Sequence, residues 1–253
     1  RDRTTIGLAK LVHHTNTQDS TIRPQKTLYH GPKYTKEQLL AGIERNKDKL
    51  ETKQVSYQDV AKMIADRTIV AMFQGGSEAG PRALGNRSIL YDARDPDGKD
   101  YVNIVKGRER FRPFAGSCLK EDANDWFDLA GMDESPHMMY AVNVVFDKVK
   151  IIPSITHVDE TCRVQTVTEE QNPHYYNLIK AYKEESGVPV IFNTSFNLAG
   201  DPLVETIDDA LDALFRSKMK HVYLPELGLL VTKTIEDPPE KCDEDCEHCE
   251  TCE

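Results

Sequence analysis

The six residues TIVAMF at 68–73 leave this chain the fewest options. They are apolar and β-branched and stop at Gly75-Gly76, so the segment reads as a buried strand. A strand buried on both faces needs helices to cover it. The same signature recurs in YAVNVVF at 140–146, VPVIFNTS at 188–195 and GLLVTK at 228–233. Between these runs lie segments with helical spacing and start signals. Thr35 precedes KEQLLAGIERNKDKL, in which Leu39, Leu40, Ile43 and Leu50 share one face. Ser56 with Asp59 forms a capping box ahead of YQDVAKMIADR, and Thr206 with Asp209 forms another ahead of DALDALFRSK. A third helix is framed by Pro173 and Gly187. Strands alternating with amphipathic helices predict an α/β domain over residues 35–235. Residues 1–34 show no sustained periodicity and read as a linker or the edge of a preceding domain, and the start at Arg1 rather than Met suggests a piece of a longer polypeptide.

Charge separates the last residues from the rest. The chain carries 32 Lys and Arg against 42 Asp and Glu, a net charge of −10, but nine acids and one lysine fall between Glu236 and Glu253. The body is nearly neutral, which argues against duplex DNA as a steered partner. Four of six cysteines, Cys242, Cys246, Cys249 and Cys252, sit in that acidic tail, leaving Cys118 and Cys162 in the body. This is not the even spread of a disulfide-stapled secreted domain. There is no apolar run of about 18 residues and no signal peptide, so a cytoplasmic protein without membrane contact is expected. The four tail thiols lie within eleven residues beside His248, dense enough to hold zinc or an iron–sulfur cluster, or to be a disordered acidic tail with incidental metal affinity.

Four segments carry polar chemistry. GGSEAGPRALGNRS, 75–88, follows the TIVAMF strand; its glycines let backbone approach a ligand, and Glu78, Arg82 and Arg87 supply charge. It matches neither common phosphate-loop fingerprint. In NIVKGRERFRPFAGS, Lys106, Arg108, Arg110 and Arg112 stand at alternate positions. Arg112, between Phe111 and Pro113-Phe114, reads as a guanidinium in apolar surroundings that needs an anion, from a ligand or from a carboxylate such as Glu109. In ITHVDETCRVQTV, a strand would align His157, Asp159, Thr161, Arg163 and Gln165 on one face as a ligand floor or a half-exposed edge. VPVIFNTSFNLAGDP ends a strand on Asn193, Thr194, Ser195 and Asn197, where α/β sheets bind ligands.

Taken together, the strings E-x-G-P-R-A-L-G-N-R-S, N-x-x-K-x-R-E-x-F-R-P-F-A, H-V-D-x-T-x-R-V-Q and P-V-x-x-N-T-S-F-N resemble the C-terminal domain of the nodulation-factor and antibiotic O-carbamoyltransferases, in order, from about Leu28 to Lys233. The resemblance implies a YrdC-like twisted mixed sheet with flanking helices around a cationic cavity. It further implies a domain that uses carbamoyl phosphate and ATP, with Mg²⁺, to form a carbamoyl adenylate. A separate or N-terminal actin-like domain would then transfer the carbamoyl group to a small-molecule hydroxyl. By motif position, Arg82, Lys106, Arg108, Arg112 and Arg163 become the expected phosphate ligands. Asn193, Ser195, Asn197, His157, Asp159 and Arg87 become the expected nucleotide-binding set. Glu160 replaces a usual glycine, Gly116 a usual proline and Ala79 a common aromatic, and the cysteine tail has no counterpart in the pattern. Two competing readings are a threonylcarbamoyl-adenylate synthase acting in tRNA modification and a non-catalytic nucleotide-binding subunit.

Overall fold

The computed structural model describes residues 2–19, 21 and 27–237. The cysteine tail, with Cys242, Cys246, Cys249 and Cys252, lies outside the described residues. Ten strands form one open mixed sheet. In chain order they are β1 (Leu50–Gln54), β2 (Val70–Phe73), β3 (Arg87–Tyr91), β4 (Ala115–Leu119), β5 (Phe127–Asp128), β6 (Ala141–Val144), β7 (Thr161–Val167), β8 (Val190–Ser195), β9 (His221–Leu224) and β10 (Leu229–Lys233). Across the sheet the order is β1-β10-β9-β2-β3-β8-β4-β7-β6-β5. The pairs β2–β9 and β4–β7 are parallel and the remaining neighbours antiparallel. The helices are α1 (Asp2–Thr17), α2 (Lys36–Glu44), α3 (Tyr57–Ala65), α4 (Gly98–Val105), α5 (Ala123–Trp126), α6 (Pro173–Ser186) and α7 (Ile207–Phe215). The expected α/β architecture is therefore present, as a mixed sheet with flanking helices.

Local signals account for most of these elements. Thr35, Ser56 and Thr206 each close a reciprocal capping box, at the starts of α2, α3 and α7. Asn172 caps α6, Pro173 opens it, and Gly187 ends it in the left-handed region at φ 75°. The strands β2 and β3 are buried at every position, and α3 and α6 pack together over an apolar core that includes Val60, Ile64, Leu178 and Tyr182.

Three segments depart from expectation. Leu50 does not continue the helix behind Thr35: α2 ends at Glu44, a 3₁₀ turn follows, and Leu50 opens β1, where only the first residue is buried. The aperiodic N-terminal region forms α1, with Leu8 and Leu11 about 60% exposed. Farther on, Leu28 is buried beside Leu84, Ala115 and Met138, and Tyr29 bridges to Glu78, so residues 28–29 pack against the glycine-rich loop.

Glu160 occupies the left-handed region at φ 61° and is exposed. A glycine adopts that conformation without Cβ crowding. Glu160→Gly is expected to raise Tm by about 1–3 °C, read by calorimetry, because relief of the backbone strain slightly exceeds glycine's extra unfolded-state entropy.

Candidate functional site

The glycine-rich loop is built on a buried carboxylate. Glu78 is 6% exposed, and its Oε1 accepts the backbone N–H groups of Leu84 (2.7 Å), Asn86 (2.8 Å) and Arg87 (3.2 Å). Burial pushes its carboxyl above the usual range, while these three donors pull it back toward ionisation. Glu78 thus ties the start of the loop to its end, closing it around Gly80, Pro81, Arg82 and Ala83. Those four residues, with Ser195, Asn197 and Leu203, line a pocket of about 210 Å³ at the carboxyl end of β8. It lies where a strand of an α/β sheet hands over to its loop.

Four cations gather around this end of the sheet. Lys106, at the C-cap of α4, is 2% exposed; its Nζ donates to Ser195 O and to Asn197 Oδ1 (3.1 Å). Burial, with Arg108 nearby, holds its ammonium well below the usual lysine range. Arg108 lies over the Phe114 ring, 4.4 Å from its centroid, and donates Nε to Asn103 Oδ1 (2.6 Å). Arg163, on β7, is pushed down to about 10 by burial and then by the charges of Arg82 and Arg108. Among the described residues, no carboxylate forms an ion pair with Arg82, Lys106, Arg108 or Arg163. The Nε groups of Arg82 and Arg163 are buried without a hydrogen-bond partner. Clustered cations that lack acids of their own have the chemistry to take up an anion.

The other expected residues divide. Ser195 donates to Asn197 Oδ1 (2.6 Å) and Asn197 donates to Asp201 O (2.9 Å), so this pair forms the pocket wall. Asn193 is buried beneath it. Arg112 is not in apolar surroundings: it is exposed and holds Glu109 through Nε (2.6 Å) and Nη2 (3.3 Å), and Phe111 beside it is 77% exposed. After Lys106 the chain turns at Gly107 (φ 65°), so alternation fails: Lys106 and Arg108 turn inward, while Arg110 and Arg112 stay in solvent.

Arg87 is wholly buried, with Nη1 on Gln74 O (2.5 Å) and Asn86 O (3.2 Å), Nη2 on Gly75 O (3.2 Å) and Glu205 O (3.1 Å), and its guanidinium 3.6 Å from the Phe73 ring centroid. Its Nη donors go to backbone carbonyls of the loop and of Glu205, while its Nε is buried without a hydrogen-bond partner among the described residues. His157 and Asp159 do not share the strand face with Thr161, Arg163 and Gln165, because β7 begins only at Thr161. They form the preceding turn: His157 donates Nε2 to Phe114 O (3.0 Å) and Asp159 accepts from Thr161 Oγ1 (2.7 Å). Among the described residues no group of three or more His, Cys, Asp or Glu is placed to hold a metal ion, and no helix is long and apolar enough to cross a membrane.

Sequence reasoning missed the residues that hold these groups in place. Asn103 donates to Arg110 O (3.1 Å) and Arg112 O (3.0 Å), pinning the loop that aims Arg108. Ser117, in a strand with no apolar-run signature, joins Asn193 to Gln165.

Known proteins share this region. The 3′-hydroxymethylcephem-O-carbamoyltransferase of Streptomyces clavuligerus is 36% identical over 159 residues, 63% of this chain and 30% of that protein. The nodulation protein NolO of Bradyrhizobium diazoefficiens is 45% identical over 153 residues, 60% of this chain and 28% of that protein. The chain therefore spans less than a third of the length of either relative. Among solved structures, HypF of T. kodakarensis superposes with a TM-score of 0.46 and 15% identity, covering 76% of this chain and 24% of that one. Residues 61–231, from within α3 to within β10, match the family described as Carbamoyltransferase C-terminus, and the chain belongs to that family.

Proposed function

We propose that this domain activates carbamoyl phosphate with ATP, forming a carbamoyl adenylate that serves O-carbamoylation of a small-molecule acceptor. One observation carries the reading: Arg82, Lys106, Arg108 and Arg163 converge at the mouth of β8 with no carboxylate paired to them among the described residues. In the proposed reaction, water releases phosphate from carbamoyl phosphate. An oxygen of the resulting carbamate then attacks the α-phosphorus of ATP, forming the carbamoyl C–O–P link and expelling pyrophosphate. Bringing the carbamate to a triphosphate of about four negative charges opposes like charges by several kcal/mol at a protein-like dielectric. Fixed guanidinium groups in a water-poor site offset that repulsion without reorganising. A Mg²⁺ ion would ride on the nucleotide's phosphates, neutralising part of their charge. Ser195 and Asn197, locked to each other and to Lys106, orient the ligand rather than react with it. The longer relatives favour a second domain, N-terminal or separate, as the recipient of the activated carbamoyl group.

The test is ATP–pyrophosphate exchange by the full chain. Exchange that requires carbamoyl phosphate is expected. Exchange that requires threonine and bicarbonate instead, or nucleotide binding without any exchange, overturns the reading.

A further inference from the structure

The pocket-lining residues 80–83 are gripped on both flanks by a short stretch of chain far upstream, residues 28–31. Ala79, just before them, donates its backbone N–H to Leu28 O (2.6 Å). Leu84, just after them, accepts the Tyr29 hydroxyl at its carbonyl oxygen (2.9 Å). The Gly31 N–H adds a bond to Ser77 O (3.0 Å), and Tyr29 forms an antiparallel bridge with Glu78, the buried carboxylate that ties the loop from inside. Leu28 is buried and packs with Leu84, Ala115 and Met138. Burial keeps the Tyr29 hydroxyl protonated well above the usual tyrosine range, so the group stays a donor near neutral pH.

Strap and loop approach more closely than side chains would permit. A Cβ on Gly31 would stand 2.0 Å from Ser77 Oγ and 2.6 Å from Ser77 N, and one on Gly76 would stand 2.4 Å from Gly31 O. A backbone atom cannot swing aside as a side chain can, so the contact needs glycine at both places. The loop also needs the brace, because four of its fourteen residues at 75–88 are glycine and carry the largest backbone freedom. A loop already held in its binding shape loses no further freedom when a ligand arrives, and that raises affinity without adding a contact.

We infer that residues 28–31 are a working part of the site and that Tyr29 is a positioning residue, acting through Leu84 to hold residues 80–83 in the shape that receives an anionic ligand. The strap lies upstream of residues 61–231, the stretch that matches the family. That the ligand is carbamoyl phosphate rests on the reading above; that the strap sets the loop does not. Two substitutions separate the roles. Tyr29→Phe deletes the hydroxyl without orphaning a partner, since Leu84 O still accepts from Gln165 Nε2 (3.0 Å) and Asn172 Nδ2 still donates to Asn86 Oδ1 (2.9 Å). Gly31→Ala removes no pocket-lining residue and forces the strap off the loop.

Amide deuteration and ATP–pyrophosphate exchange, both on the full chain, test it. In Gly31→Ala, amides at 77–88 are expected to take up deuterium at least about tenfold faster, while those of α3 and α6 stay within about twofold of wild type. KM for carbamoyl phosphate is expected to rise about tenfold with kcat within about threefold, a split that a general loss of packing would not produce. Tyr29→Phe is expected to move deuteration and KM in the same sense by about threefold. Unchanged deuteration at 77–88 in both variants overturns the inference, and so does a loosened loop whose KM stays within about twofold of wild type. Tyr29→Phe decides the matter alone should Gly31→Ala unfold. A wild-type chain that shows no exchange dependent on carbamoyl phosphate removes the reading above, and deuteration then settles by itself whether the strap sets the loop.

Discussion

Arg163→Met is expected to lower carbamoyl-phosphate-dependent exchange by about a thousandfold while leaving Tm unchanged or raising it by up to about 4 °C. The two effects have opposite signs for one reason. Arg163 is held as a cation in a desolvated place beside Arg82 and Arg108, with its Nε unpartnered. Burial has already pushed it down to about 10, so folding at neutral pH is opposed by keeping it charged. That cost is present below the folded value and fades only as the pH rises through about 10, so it applies fully at pH 7 to 8. Methionine occupies similar volume and removes the penalty, but it leaves the incoming phosphates without a counter-charge. Arg112→Ala serves as the contrast. Its guanidinium is exposed and paired with Glu109, and its removal is expected to keep exchange within about threefold. If Arg163→Met lowered Tm sharply and kept its exchange, the cationic pocket would be a packing feature rather than a site.

The contrast between Arg163 and Arg112 shows what a sequence of this kind discloses. The cap at Thr35, the capping boxes at Ser56 and Thr206 and the strands at β2, β8 and β10 depend on neighbours in the chain, and each was readable from local pattern. The position of a guanidinium does not depend on neighbours alone. Arg112 stands beside three apolar or cyclic residues and yet points into water, because the chain turned at Gly107 five residues earlier. Arg87 sits in the most site-like loop and turns its Nη groups to backbone carbonyls at Gln74, Gly75, Asn86 and Glu205. Strand β4 was invisible because Ala115, Gly116, Ser117 and Cys118 are small, a composition forced by crowding. A Cβ on Gly116 would stand 2.6 Å from Ile155 Cδ1, and Ser117 is needed for the amide network. The cation cluster was legible as a set of basic residues; which of them face one another was settled by strand register, and register is non-local.

Gly85→Ala is expected to cost about 2–4 kcal/mol and to lower Tm by about 10 °C. Gly85 has φ +104°, outside the range an alanine tolerates, and the added Cβ would lie 2.2 Å from Tyr175 Cδ1 and 2.6 Å from its Cγ. Tyr175 cannot retreat: it is fully buried at the start of α6, next to the Asn172 cap whose Oδ1 also receives Gln74 Nε2 (3.1 Å). The backbone of the loop must therefore shift. Leu84 O and Ala83 O, the carbonyls bonded by Gln165 and Asn193, belong to the two residues before it. Binding of carbamoyl phosphate is accordingly expected to weaken along with stability, although Gly85 does not line the pocket. Adding Tyr175→Leu separates the two sources of damage: it relieves the clash and not the dihedral strain, so roughly half the lost stability should return. Full recovery in the double variant would show that the left-handed backbone at position 85 costs alanine little. No recovery would show that strain alone, and not the tyrosine, requires glycine there.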